Sequence, residues 1–281
     1  MKLQLQKSRA LAAAILLAST GGSSLFAAEL KPETIRAWSA YIEATEARIT
    51  AELAPEGAFL VQENSPRLDA RETILAGRVY VEKMETRNVE GKKIPIPGGR
   101  IHHWLGSVLI RNVELSEVLG WLRDCSNFEN HFEGVERSRN LSVQGDVIEC
   151  FLRVRGKKVR TVHYDTEQTI RYSTVGAGRA ASRTEATRIV QLKDPGSPKE
   201  SEMPEGRDSG YLWRWNSYWR FKAEGNQVIV ECESISLSRS VPKAFWWIVK
   251  PFLSSLPKEY LQSTLASLRD AIEAAAHPPT D

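Results

Sequence analysis

Residues 211–221 read YLWRWNSYWRF, six aromatic side chains in eleven positions. Side chains alternate between the two faces of a strand. Tyr211, Trp213, Trp215, Ser217, Trp219 and Phe221 therefore share one face, and Leu212, Arg214, Asn216, Tyr218, Arg220 and Lys222 share the other. At ~150–250 Å² per aromatic side chain, the rings of the first face amount to roughly 1,000 Å². The largest apolar patch on an ordinary monomer is only ~300–600 Å². A chain with this segment needs a cover for one face of a sheet: a helix, a ligand, a nucleic acid or a membrane.

The N-terminus bears on that choice. Lys2, Lys7 and Arg9 precede the apolar run ALAAAILLA at 10–18, and the small-residue stretch STGGSSLFAA follows it. This is the pattern of a secretory signal peptide, expected to be cut after Ala27 or Ala28 and to deliver the chain to the periplasm or the exterior. The run is nine residues long, against the ~20 of a membrane span. Removing residues 1–28 takes away three basic and no acidic residues, which leaves 35 Lys and Arg against 35 Asp and Glu. A neutral chain lacks the electrostatic attraction behind most non-specific nucleic-acid binding, so no nucleic-acid partner is expected. Cys125, Cys150 and Cys232 make an odd number without a CxxC spacing. They are expected to be small buried residues carrying three free thiols, not a disulfide framework or a zinc site.

Along the chain, residues 31–54 have Ile35, Trp38, Ile42, Thr45 and Ile49 at steps of three and four, with Pro32 at the start. That spacing predicts a helix in need of a surface to lie on. A strand-like run at 76–86 and a turn-rich loop follow, and from 100 the pattern is a strand and then an amphipathic helix at 115–122. Strands are expected at 146–155, 158–164, 169–173, 182–192, 211–223 and 227–238. Residues 194–210, with three Pro, three Gly and many charges, read as an exposed, mobile loop. The C-terminal segment reads as two helical pieces, the first led by Pro242 and carrying Trp246 and Phe252, the second beginning after Pro257.

ELSEVLGWLRDCSNFENHFEGVERSRNL at 114–141 resembles a segment of START-like proteins, the superfamily of polyketide cyclases, dehydrases and lipid-transport proteins. Asp124, Phe128, Phe132, Gly134 and Val135 carry the likeness. The closing stretch, VECESISLSRSVPKAFWWIVKPFLSSLPKEYLQSTLASLRDAI, is similar to that family's last strand and long helix. The resemblance covers about 100–276 and implies an α+β helix-grip fold, in which a curved antiparallel sheet wraps a long C-terminal helix, holds a cavity between them and leaves its other face in water. The expected organisation is a signal peptide at 1–28, an N-terminal extension of helix, strand and loop at 29–99, a START-like ligand-binding domain at 100–276 and a tail at 277–281.

A two-residue hairpin loop at Gly225 and Asn226 sets Arg220 opposite Glu231, Tyr218 opposite Glu233, Phe221 opposite Val230 and Trp219 opposite Cys232. A one-residue slip would exchange the faces. The aromatic face is assigned to the cavity, so Trp213, Trp215, Trp219, Phe221, Val230, Cys232, Trp246 and Phe252 are the expected ligand-binding residues, with a hydrophobic or lipid-like small molecule as partner. Arg220 and Glu231 are expected to form a surface ion pair worth ~0–1 kcal/mol. His102 and His103, as strand neighbours, face opposite ways, and neither has metal-ligand spacing to another His. No cofactor or metal is expected. Arg153 and Arg155 read as a solvated hairpin tip, and Trp246 and Trp247 leave room for transient membrane contact. Two alternatives follow from the same residues: a cyclase- or hydrolase-type enzyme using His103, Tyr218 and Glu233 if the polar face turned inward, or a filled module that binds another protein. Loop 194–210 is the expected gate of the cavity.

Overall fold

A computed structural model describes residues 29–64, 68–157, 161–204, 207–240 and 246–276, leaving aside the side chains of 64, 68, 157 and 246–256. Its elements in chain order are α1 (Pro32–Leu53), a 3₁₀ turn (Val61–Asn64), α2 (Leu68–Leu75), β1 (Tyr80–Lys83), β2 (Gly99–Arg111), α3 (Leu115–Leu122), a second 3₁₀ turn (Cys125–Asn127) and α4 (Phe128–His131). Then come β3 (Val135–Gln144), β4 (Val147–Lys157), β5 (Thr161–Gly176), β6 (Arg179–Lys193), β7 (Ser201–Glu202), β8 (Arg214–Ala223), β9 (Gln227–Arg239) and α5 (Trp246–Ala276). The strands form one antiparallel sheet in the order β1-β2-β9-β8-β6-β5-β4-β3, with β7 paired to β6. The sheet curves around α5 in the helix-grip arrangement, and the fold is α+β.

The β8–β9 register is the expected one: Arg220 pairs with Glu231, Tyr218 with Glu233, Phe221 with Val230 and Trp219 with Cys232. Gly225 takes φ 66° at the turn, a left-handed conformation that suits glycine. The inner face meets the last turns of α5 through Leu261, Leu265, Leu268 and Ile272, which pack with Val108, Phe221, Val230 and Cys232. Contact is close at Gly106, where an added Cβ would lie 2.5 Å from Leu265 Cδ1 and 3.0 Å from Leu261. Only glycine lets the helix approach β2 so nearly.

The other face of the sheet is in water along β4, β5 and β6, where Glu149, Arg171, Arg183 and Glu185 are exposed, but not over β2, β9 and β8. α1 buries Trp38, Tyr41, Ile42, Thr45 and Ile49, and its rings and aliphatics pack on Trp213, Tyr218, Ile235 and Leu237. Farther along, Phe59, Leu60, Ala70 and Ile74 cover Leu109 and Ile229. The helix predicted at 31–54 thus lies on the outer face of β2, β9 and β8. That face is mixed, with Ile229, Ile235 and Leu237 flanking Glu231 and Glu233 on one side of β9, and its apolar members need a cover as the inner face does.

Other expectations change with the structure. β3 and α2 add elements that the sequence pattern passed over, and the runs at 158–164 and 169–173 join into the single strand β5. α5 is continuous through Pro257, not two helices, because packing of its apolar stripe outweighs the one lost hydrogen bond. Pro242 lies outside the described residues. The described part of 194–210 is tied down: β7 pairs with β6, the Ser209 amide donates to Gln191 at 2.9 Å, and Asp208 is buried and accepts from the Trp213 indole at 3.1 Å. Arg153 is buried, with two hydrogen bonds to Asp165 at 2.7 and 2.8 Å and another to Glu200 at 2.9 Å. It holds the strap at 194–202 to the sheet and is no hairpin tip. Arg155 is exposed beside Glu136.

Cys125 and Cys150 form a disulfide across 25 residues, and Cys232 is the buried free thiol among the described cysteines. The expectation of three thiols is corrected: the turn after α3 brings Cys125 beside β4, a closeness that sequence spacing does not reveal. Thiol titration in denaturant without reductant is expected to find one thiol per chain, rising to three after reduction; three without reductant would contradict the bridge.

Candidate functional site

The β8 and β9 ladders sort the reactive side chains onto two faces. Inward from β6, β8 and β9 point Ala180, Ser182, Thr184, Trp215, Ser217, Trp219, Phe221 and the even-numbered positions 228–236, and none of them is a carboxylate, an imidazole or a cation. Phe221, Val230 and Cys232 are fully sealed against α5. Trp219 stacks on Phe221 with ring centres 6.3 Å apart and planes at 5°. Trp104, Trp215 and Trp219 are only half-buried, and their rings continue the apolar surface beyond the packed core.

Hydroxyl groups line this part of the face. The Trp215 indole donates to Ser234 at 3.2 Å and the Trp219 indole to Ser217 at 3.1 Å. His102, the inward member of the His pair, hydrogen-bonds Ser238 at 2.9 Å. Burial, aided by the charges of Arg100 and Lys83, pushes its pKa down to about 4, so it is neutral near pH 7. The surface offers aromatic rings, hydroxyls and a neutral imidazole. It can hold an apolar body and hydrogen-bond a polar end; the inward positions of β6, β8 and β9 carry no carboxylate or cation for acid–base work, and among the described strand residues the cations on this face are Arg100 of β2 and Lys83 of β1, at its edge beside His102.

Of the expected ligand-binding residues, Trp215, Trp219, Phe221, Val230 and Cys232 lie on this inner face. Trp213 does not: β8 begins at Arg214, and Trp213 packs with Trp38 and Leu237 under α1. Strand parity fails there because the ladder has not started. The side chains of Trp246 and Phe252 lie outside the described residues.

The groups suited to proton transfer are on the outer face, sealed by α1. His103 Nε2 is 2.6 Å from Glu233 Oε1, and its Nδ1 is 2.8 Å from the Tyr41 hydroxyl. The Thr86 amide donates to the same hydroxyl at 2.8 Å. Arg48 hydrogen-bonds both Glu233 and Glu52. Arg220 donates to Glu52 at 2.5 Å and to the Phe59 carbonyl at 3.0 Å, with Glu231 3.7 Å and Glu233 4.0 Å away. Glu231 accepts from the Val61 amide at 2.8 Å. Tyr218 is not part of this group, since its hydroxyl donates to Glu46 at 2.7 Å.

The surface ion pair expected of Arg220 and Glu231 is corrected accordingly: their side chains are 2% and 1% exposed. Burial pushes the Glu231 carboxyl up to about 7, against the opposing pull of Arg220 and the amides of Val61 and Gln62. Burial also pushes Glu233 up, but the hydrogen bond and charge of His103, with Arg48 and Arg220, outweigh it and bring that carboxyl below its ordinary value. A small pocket of about 180 Å³ reaches Tyr41 and His103 between Met84, Ile94 and Ile101. A surface groove of about 350 Å³ lies apart from both faces, at Glu117, Trp121 and Asp124.

No family model matches the sequence, and no curated protein matches it. Among solved structures, the chain is similar to a protein from Thermus thermophilus, at 13% identity and TM-score 0.44, covering 61% of this chain and 97% of that one. It is similar also to a STAR-related lipid transfer protein from Xanthomonas axonopodis, at 16% identity and TM-score 0.44 over 68% and 98% of the two chains. An aromatase/cyclase from Streptomyces sp. R1128 aligns at 11% identity and TM-score 0.44 over 64% and 98%. These neighbours share the sheet-around-helix arrangement; at such scores they carry no argument about ligand or chemistry.

Arg220→Ala leaves buried carboxylates without their guanidinium and is expected to cost ~3–5 kcal/mol of stability, read as a lowered denaturant midpoint. A loss below ~1 kcal/mol, as for a surface pair, would contradict the sealed outer face.

Proposed function

We propose that the chain binds a hydrophobic or amphipathic, lipid-like small molecule between the inner face of the sheet and the first half of α5, without covalent chemistry. The observation that carries this reading is the division of side chains between the faces. The half-buried rings of Trp215 and Trp219 and the hydroxyls of Ser217 and Ser234 face inward on strands whose inward positions carry no carboxylate, imidazole or cation, while the His103–Glu233 network lies on the outward side. The enzyme alternative loses its ground on the same division: Tyr218 is bonded elsewhere, and the pocket at His103, about 180 Å³, falls below the ~300 Å³ at which ordinary ligand sites begin.

Export after removal of the N-terminal segment is part of this reading. Its support is the basic start followed by a nine-residue apolar run, together with the Cys125–Cys150 bridge, a bond that persists in oxidising compartments. Mass analysis of the mature N-terminus is expected to place it at residue 28 or 29, and an intact Met1 would contradict export.

A fluorescent fatty acid tests the binding site. The unsubstituted protein is expected to take up the probe. Trp215→Ala, whose ring is half-exposed, is expected to weaken uptake by about tenfold, or ~1.4 kcal/mol, with little change in denaturant midpoint. Phe221→Ala, inside the packed part, is expected to cost ~3–5 kcal/mol of stability. Absence of uptake, or uptake that Trp215→Ala leaves untouched, would contradict the site.

A further inference from the structure

The inner face of the sheet ends in positive charge. Along β9, Val230 and Cys232 pack under α5, and beyond them Ser234, Ser236 and Ser238 follow at alternate positions of the same face. Register sets the neighbours of each serine. Lys83, Trp104, Ser234 and Ser217 form one row across β1, β2, β9 and β8; His102, Ser236 and Trp215 form the next; Arg100 and Ser238 form the last. Successive rows of one face are ~7 Å apart along a strand, so the row of His102 and Ser236 lies between the two cations. The inward positions of β1, β2, β8 and β9 carry no Asp or Glu. Of the acids closest in sequence, Glu82 has outward parity, and Glu85 pairs with Lys93 at 2.8 Å and Arg87 at 3.1 Å.

Hydrogen bonding on these rows has the same sign. The indoles of Trp215 and Trp219 donate to the hydroxyl oxygens of Ser234 and Ser217, which leaves each hydroxyl hydrogen to donate onward. The charges of Arg100 and Lys83 reach the inner face, where they act with burial to depress His102. Arg100 is half-buried, and burial lowers its own guanidinium from the ordinary value; a cation partly withdrawn from water attracts an anion more strongly than one on the surface.

We propose that the ligand of this face is an anionic amphiphile, whose carboxylate or phosphate head sits between Arg100 and Lys83 over the row of His102 and Ser236 and whose tail runs across Trp104, Trp215 and Trp219. The inference rests on the proposed lipid-like site and adds the charge of the head. A cationic or zwitterionic head would bring a positive charge to strands that offer it no carboxylate on this side. An anionic head meets two cations and hydroxyl hydrogens, and its oxygens can accept from all of them.

Calorimetric titration with decanoic acid, decyl phosphate and decanol, which share one tail, is made at about pH 7, where a carboxylic acid is ionised. At least one of the two anions is expected to bind about tenfold more tightly than decanol, the scale of a hydrogen bond to a charged group, and Arg100→Gln to reduce that ratio to about twofold. Arg100→Lys, which keeps the charge, is expected to retain part of it. Equal binding of all three compounds would leave the lipid-like site standing and overturn the anionic head. Binding of none would contradict the site itself, and the inference with it. Inorganic phosphate competing as well as decyl phosphate would overturn the amphiphile, and a preference that Arg100→Gln leaves intact would overturn the place of the head. Should Arg100→Gln fail to fold, the His102 imidazole of the unsubstituted protein decides. Bound decyl phosphate is expected to raise its pKa from about 4 in an NMR titration, since a nearby negative charge favours the imidazolium; a His102 that saturating decyl phosphate leaves unshifted would overturn the assignment.

Discussion

Arg220 sits on a central strand with its guanidinium 2% exposed, and much of the architecture follows from what that group requires. A buried guanidinium needs anionic or carbonyl partners in fixed positions. The sheet offers Glu231 and Glu233 at distances that are long for hydrogen bonds. The short contacts come from the N-terminal segment, through Glu52 on α1 and the carbonyl of Phe59. The charge on the sheet and the cover over it are therefore parts of one unit, and removal of either leaves ions in an apolar surrounding.

The division of labour between the two faces rests on the β8–β9 register. One parity carries rings and hydroxyls toward α5, and the other carries the charged network together with aliphatic side chains packed under α1, as with Ile235 and Leu237. On β8 and β9, an inward surface of rings and hydroxyls and an outward set of buried charges are two consequences of one alternation. Cys232, inward beside Phe221 and Val230, belongs to the packed part of the inner face, where burial and the nearby Glu233 and Glu231 push its thiol far up and leave it unreactive.

Much of this was legible in the sequence, because period-two alternation and a short turn fix register without reference to the rest of the chain. The hairpin pairs, the inward set from Trp215 to Phe221 and the helix at Pro32–Leu53 follow from local pattern. The covered outer face was not read, since Arg220, Tyr218, Glu231 and Glu233 look like a solvated set when the charged positions of the β8–β9 hairpin are viewed alone. A signal was present on β9: Ile229, Ile235 and Leu237 share parity with the two glutamates, and a water-facing strand has no use for such a mixture. Trp213 escaped because alternation does not extend past the first ladder residue. The Cys125–Cys150 bridge escaped because its partners meet only when α3 and the following turn fold onto β4.

Five of the tryptophans distribute themselves over these faces in a way that a bound molecule can report. Trp104, Trp215 and Trp219 point inward, and Trp38 and Trp213 lie beneath α1. A spin-labelled fatty acid added to isotopically labelled protein broadens the indole N–H resonances nearest to it. The account predicts broadening at Trp104, Trp215 and Trp219 with Trp38 and Trp213 unaffected; broadening confined to Trp38 and Trp213 would place the ligand on the charged side and contradict it.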